Sequence, residues 1–89
     1  MEYIVITYHD VFKGNDIDTS YAYRFSNREE AVEFLVDSAY ERYNSYVGLV
    51  GIENTSITIN KGSYARVYRK SDVGETNWYW ELLKVNGVD

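Results

Sequence analysis

From Tyr3 to His9 the chain alternates with a period of two, placing Ile4, Ile6 and Tyr8 on one side and Tyr3, Val5 and Thr7 on the other. These β-branched and aromatic residues suit a pleated surface, and the stretch is predicted as a strand. A turn-forming run, Lys13, Gly14, Asn15 and Asp16, follows within a polar stretch from Asp10 to Thr19. Alternation resumes from Ser20 to Phe25, with Tyr21, Tyr23 and Phe25 set against Ala22 and Arg24. The two strands most simply form a hairpin with a longish loop.

The period then changes from 2 to 3.6. Asn27 is a suitable N-cap, Glu30 stands three residues on in capping-box spacing, and Glu29 and Glu30 suit the positive end of a helix dipole. At about 100° per residue, Ala31, Val32, Leu35, Val36, Ala39 and Tyr43 gather on one broad apolar face. The spacing predicts a helix from Arg28 to about Tyr46, ended by Gly48. Thr55 to Asn60 alternates again, Asn60, Lys61 and Gly62 signal a tight turn, and Ser63 to Arg69 reads as the paired strand. A polar loop from Ser71 to Asn77 leads into a last strand, Trp78 to Val85. The order β-β-α-β-β-β predicts an α+β fold: an antiparallel sheet of about five strands with one long helix packed on it.

Length narrows this to one domain, residues 1–89, because 89 residues support no more. No apolar run is long enough to span a membrane. The N-terminus lacks the basic region and cleavage site of a secretory signal. A cytoplasmic protein is therefore expected. Zero cysteines exclude disulfides, thiolate metal sites and a cysteine nucleophile, and one histidine excludes multi-histidine metal centres. No phosphate-cradling glycine motif is present. His9 stands beside Asp10 on a strand, where neighbours point to opposite faces, so the two make a poor base and orienting partner. Asp10, Asp16 and Asp18 share a loop, but their offsets do not match a calcium-binding loop. No catalytic set, metal site or cofactor is expected, and the chain reads as a non-enzyme.

Two surface features remain. On the helix, Glu30, Glu33, Asp37 and Glu41 fall within about 80° of one another, with no Lys or Arg among them. Like charges at that spacing cost a few tenths of a kcal/mol each. The stripe can imitate a nucleic-acid backbone, and Phe34 and Tyr40, bordering it on either side, are candidate anchors for a protein partner. The bland alternative is a solvated helix face. On the late strands, Tyr64, Arg66 and Tyr68 share one face and Trp78 and Trp80 share a face of the next strand. Residues 61–89 carry five basic and four acidic groups, whereas residues 1–60 carry four and ten. Basic groups among aromatics suit a single-stranded nucleic-acid platform, or else a sheet core with its rim. The formal charge of −5 makes nucleic acid the less expected partner.

Ten tyrosines exceed what a one-helix core needs, and exposed Tyr and Trp suit interfaces. The strand-to-capped-helix run from Phe25 to Phe34 is similar to one found in many small phage α+β proteins. In size, acidity, tyrosine content and lack of cysteine and proline, the whole chain resembles small phage- or mobile-element-encoded inhibitors of the anti-CRISPR type. That resemblance implies a protein-binding inhibitor in a bacterial host cell, whose partner has a basic nucleic-acid-binding groove, such as a CRISPR effector. The basic C-terminal strands depart from a uniformly acidic mimic. Self-assembly as a homodimer through exposed strands and aromatics is the third reading.

Overall fold

The computed structural model describes residues 2–11, 17–72 and 74–85. The elements run β1 (Glu2–Val11), β2 (Ile17–Phe25), α1 (Arg28–Val50), a short 3-10 turn (Ile52–Asn54), β3 (Thr55–Asn60), β4 (Tyr64–Ser71) and β5 (Gly74–Val85). The strands form one five-stranded sheet in the order β2-β1-β5-β4-β3, every pairing antiparallel. The hairpins β1–β2 and β3–β4–β5 are local. The ladder that joins them pairs the first and last strands, from Glu2 opposite Val85 to Val11 opposite Thr76. α1 leaves β2 at one sheet edge and packs chiefly on β4 and β3. This is the α+β arrangement expected from the change of period.

Several boundaries differ from the sequence pattern. β1 reaches Val11 and β2 starts at Ile17, so Asp10 and Asp18 lie in strands and not in one loop. The helix end and the start of β5 also move. α1 does not end at Gly48 but runs to Val50, and Gly51 breaks it at a positive φ of 92°. The last turns are held because Tyr46 is buried. The end is capped in turn: Gly51 N–H donates to Val47 O at 2.9 Å, Asn54 Nδ2 to Val50 O at 2.8 Å and Thr55 Oγ1 to Gly51 O at 2.9 Å. β5 starts at Gly74 instead of Trp78, because β4 continues past Arg69 and its ladder takes in Glu75, Thr76 and Asn77. The polar sequence there hid a strand whose Thr76 is buried. At the other end of α1 the expected cap forms, with Glu30 N–H donating to Asn27 Oδ1 at 2.8 Å. The turn read at Lys13–Asp16, with its calcium question, lies outside the described residues.

One sheet face meets the helix. Val5 of β1, Ala65 and Val67 of β4 and Trp80 of β5 are buried against Ala31, Leu35, Ala39 and Tyr46. Of the predicted helix face, Val32, Val36 and Tyr43 are half-buried at its margin, and Tyr46 takes a core place that the pattern did not assign. The β3–β4 turn closes under the helix. Lys61 and Gly62 both have positive φ, 54° and 71°, and Ser63 N–H donates to Asn60 O at 3.0 Å. A Cβ on Gly62 would lie 2.7 Å from Val32 Cγ1. Gly62→Ala is therefore expected to destabilise the fold by about 2 kcal/mol, from the left-handed conformation and the overlap with Val32 together. Urea unfolding checks it, and a loss below a few tenths of a kcal/mol would mean that the turn repacks freely.

Candidate functional site

The acidic stripe is formed as the helical spacing implies. Glu30, Glu33, Asp37 and Glu41 are all exposed on the outer flank of α1. Among the described residues no Lys or Arg forms an ion pair with any of them; the exposed pair Arg24–Glu2, at 3.5 Å, lies elsewhere. Phe34 does not stand free beside them. It packs against Tyr23 and Phe25 of β2, with ring centroids 4.7 and 5.2 Å away. Tyr40 is 48% exposed and lies about 120° round the helix from Phe34, across the width of the stripe. A shallow groove along Phe25 and Phe34 is lined by Glu30, Glu33, Asp37 and Glu41. The stripe therefore borders aromatic residues of β2, which the linear pattern of the helix could not show.

Beyond Phe34 the groove continues into a cleft of about 420 Å³ between α1 and the sheet. It opens because α1 sits over β4 and β3 and leaves the helix side of β1 and β2 partly uncovered. Tyr21 and Tyr23 form one wall and are 53% and 40% exposed. Trp78 and Trp80 lie on the other side, stacked 6.2 Å apart. His9 stacks on Trp78 at 4.2 Å, and the Arg42 guanidinium lies 4.2 Å from the same indole ring. Thr7, only 6% exposed, lines the cleft, and its Oγ1 has no hydrogen-bond partner among the described residues. Tyr21, Tyr23 and Thr7 were not among the residues singled out in the sequence. The signal was the all-aromatic alternation Tyr21, Tyr23, Phe25 on one side of β2.

The second sequence-derived set is split by the sheet. Ala65 pairs with Trp80 and Val67 with Trp78, so the tryptophans share the helix side with buried Ala65 and Val67. Tyr64, Arg66 and Tyr68 take the other face, opposite Glu81, Tyr79 and Asn77. No described element covers that face. It carries Ile4, Ile6 and Leu83 as well as Tyr8, which stacks on Tyr79 at 4.9 Å and donates its hydroxyl proton to Glu81. Arg66 is held by its own neighbours, with Nε donating to Asn77 Oδ1 at 2.8 Å and its guanidinium 5.7 Å from the Tyr68 ring centre.

Among the described residues no group of three His, Cys, Asp or Glu side chains is placed to hold a metal ion. No described helix is long and apolar enough to cross a membrane. No known protein family, curated protein or solved structure matches this chain.

Burial pushes the Tyr8 phenol well above its ordinary value of 10.0, and its hydrogen bond to Glu81 adds to the shift. The unfolded chain thus loses this proton first as pH rises, and the folded state loses stability through the alkaline range. Tyr46 is raised by burial and Tyr68 by its hydrogen bond to Glu75, so part of that fall belongs to them. Tyr8→Phe is expected to make the loss of stability between about pH 8 and pH 11 shallower. Denaturation at both pH values checks it, and an unchanged slope would remove Tyr8 as a contributor.

Proposed function

We propose that this chain is a non-enzymatic, phage- or mobile-element-encoded inhibitor that binds a bacterial nucleic-acid-binding defence protein such as a CRISPR effector. It acts in the cytoplasm of the host cell and uses the acidic and aromatic surface of α1 and β2. The observation that carries this reading is the run of four exposed carboxylates with no cation partner among the described residues, continuous with Phe25, Phe34 and the exposed rings of Tyr21 and Tyr23. Mutual repulsion along the stripe costs the isolated helix stability. A basic groove on a partner offsets that cost, speeds encounter and selects against acidic surfaces, while the aromatic rings supply contact area. The resemblance of the whole chain to anti-CRISPR-type inhibitors points the same way.

Of the alternatives, single-stranded nucleic-acid binding by the sheet is the weaker. The tryptophans face the helix, Arg66 is engaged internally, and Glu75 and Glu81 stand beside the tyrosines, where they repel phosphates. The uncovered face instead favours self-association as the second reading, since Ile4, Ile6, Leu83 and the Tyr8–Tyr79 stack share it. Light scattering at the highest soluble concentration decides that reading: a monomer removes it.

The stripe is tested by the double reversal Glu33→Lys with Asp37→Lys against a purified CRISPR effector. Affinity is expected to fall at least about tenfold, and wild-type binding to weaken as salt rises. The melting temperature is expected to hold or rise, because Lys at 37 would face Glu41 one turn on. Equal binding by both proteins would show that the stripe is not the interface.

A further inference from the structure

The cleft between α1 and the β1–β2 side of the sheet has features that general protein binding does not call for. Thr7, 6% exposed, lines it, and its hydroxyl Oγ1 has no hydrogen-bond partner among the described residues. Glu41, at the end of the acidic stripe, lines it too and pairs with no described cation. The rings of Tyr21 and Tyr23 are open to solvent, and no described guanidinium or ammonium lies over them. The other side of the cleft already shows what such rings accept. Arg42 lies 4.2 Å from the Trp78 ring centre, and Arg69 lies 4.6 Å from that of neighbouring Tyr46.

We infer that this cleft takes an arginine side chain of the protein partner, its guanidinium stacked on the rings of Tyr21, Tyr23 and Phe34 and hydrogen-bonded to Glu41 and Thr7. The inference rests on the acidic surface being the docking face, and it adds which basic side chain that face selects. A guanidinium is planar, weakly hydrated and able to stack while it donates several N–H bonds within one plane. Carboxylate and hydroxyl oxygens accept those bonds, and aromatic faces attract the charge. A lysine ammonium is compact and strongly hydrated, and it lacks the flat surface that the rings would cover. The volume, about 420 Å³, lies in the range of small-ligand sites and admits one long side chain with its waters. Arg42 stays on Trp78 and leaves the β2 wall for the incoming group.

Both tryptophans of the chain line this cleft, so intrinsic tryptophan emission reports on its occupancy without background from elsewhere. The probes are two capped peptides of equal charge, three arginines or three lysines spaced by glycine and serine, titrated into the intact protein at low salt. The arginine peptide is expected to change the tryptophan emission and to bind about three- to ten-fold more tightly than the lysine peptide. Tyr23→Ala is expected to erase that preference, and Tyr23→Phe, which keeps the ring, to retain it. Equal binding of the two peptides to the wild-type protein, with unmoved emission, overturns the arginine site whatever the variants do. If that equal binding is also lost on reversing Glu33 and Asp37, the acidic docking face stands without the cleft. Binding of neither peptide overturns both.

Discussion

A mismatch of width governs this molecule. One helix is about 10–12 Å across with its side chains, whereas five strands at roughly 4.8 Å spacing make a sheet about twice as wide. α1 therefore cannot cover even one face. It settles over β4 and β3, where small Ala65 and Val67 let it approach, and buries Leu35 and Trp80 between the layers. What the described elements leave uncovered follows from that choice: a strip of β1 and β2 on the helix side, and the opposite face. The aromatic content answers the same constraint. Rings that cannot all fit under one helix cover exposed sheet with large, stiff and partly polar surfaces.

The placement of the rings is not uniform, and the difference separates structural from functional roles. On the open face the polar ends are engaged within the sheet, Tyr8 with Glu81 and Tyr68 with Glu75, and Arg66 with Asn77. That surface satisfies itself. On the helix side Tyr21 and Tyr23 hold exposed faces beside the exposed Glu41 carboxylate and the buried Thr7 hydroxyl, neither of which has a partner among the described residues. A buried hydroxyl left unmet beside open rings is what the proposed arginine site would use.

The fold was legible because each signal was local. The change of period at Phe25, the Asn27 cap and the Lys61–Gly62 turn are each contained within a few residues, and each formed where expected. The helix end was misplaced because Gly48 keeps a helical backbone, while the burial of Tyr46 carries the last turns onward to Gly51, where φ turns positive. Which aromatics share a face was not legible. β5 carries rings at three successive positions, Trp78, Tyr79 and Trp80, so both of its faces look alike in sequence. The register pairs Ala65 with Trp80, and a shift of one residue would have put the tryptophans beside Tyr64 and Tyr68. The cleft lay further out of reach, since it exists only where β2 and α1 converge with the β1–β5 ladder.

The charge count of the C-terminal strands illustrates how sequence tallies and surfaces diverge. Residues 61–89 are slightly basic, which argued against an acidic mimic. In the fold, however, guanidinium groups are drawn onto rings. Arg69 and Arg42 lie over buried Tyr46, Arg42 also over Trp78, and Arg66 beside Tyr68. Each is held against its own protein and is less available to a phosphate or an acidic partner. The carboxylates of α1 have no such restraint among the described residues and stand in solvent. A protein of modest net charge thus presents a strongly one-signed helix face, because its aromatic residues engage most of its arginines. Among the described residues no guanidinium lies over Tyr21 or Tyr23, the rings beside the carboxylates. The chemistry that holds Arg42 and Arg69 on their rings is the chemistry by which the proposed site would take an arginine from another molecule.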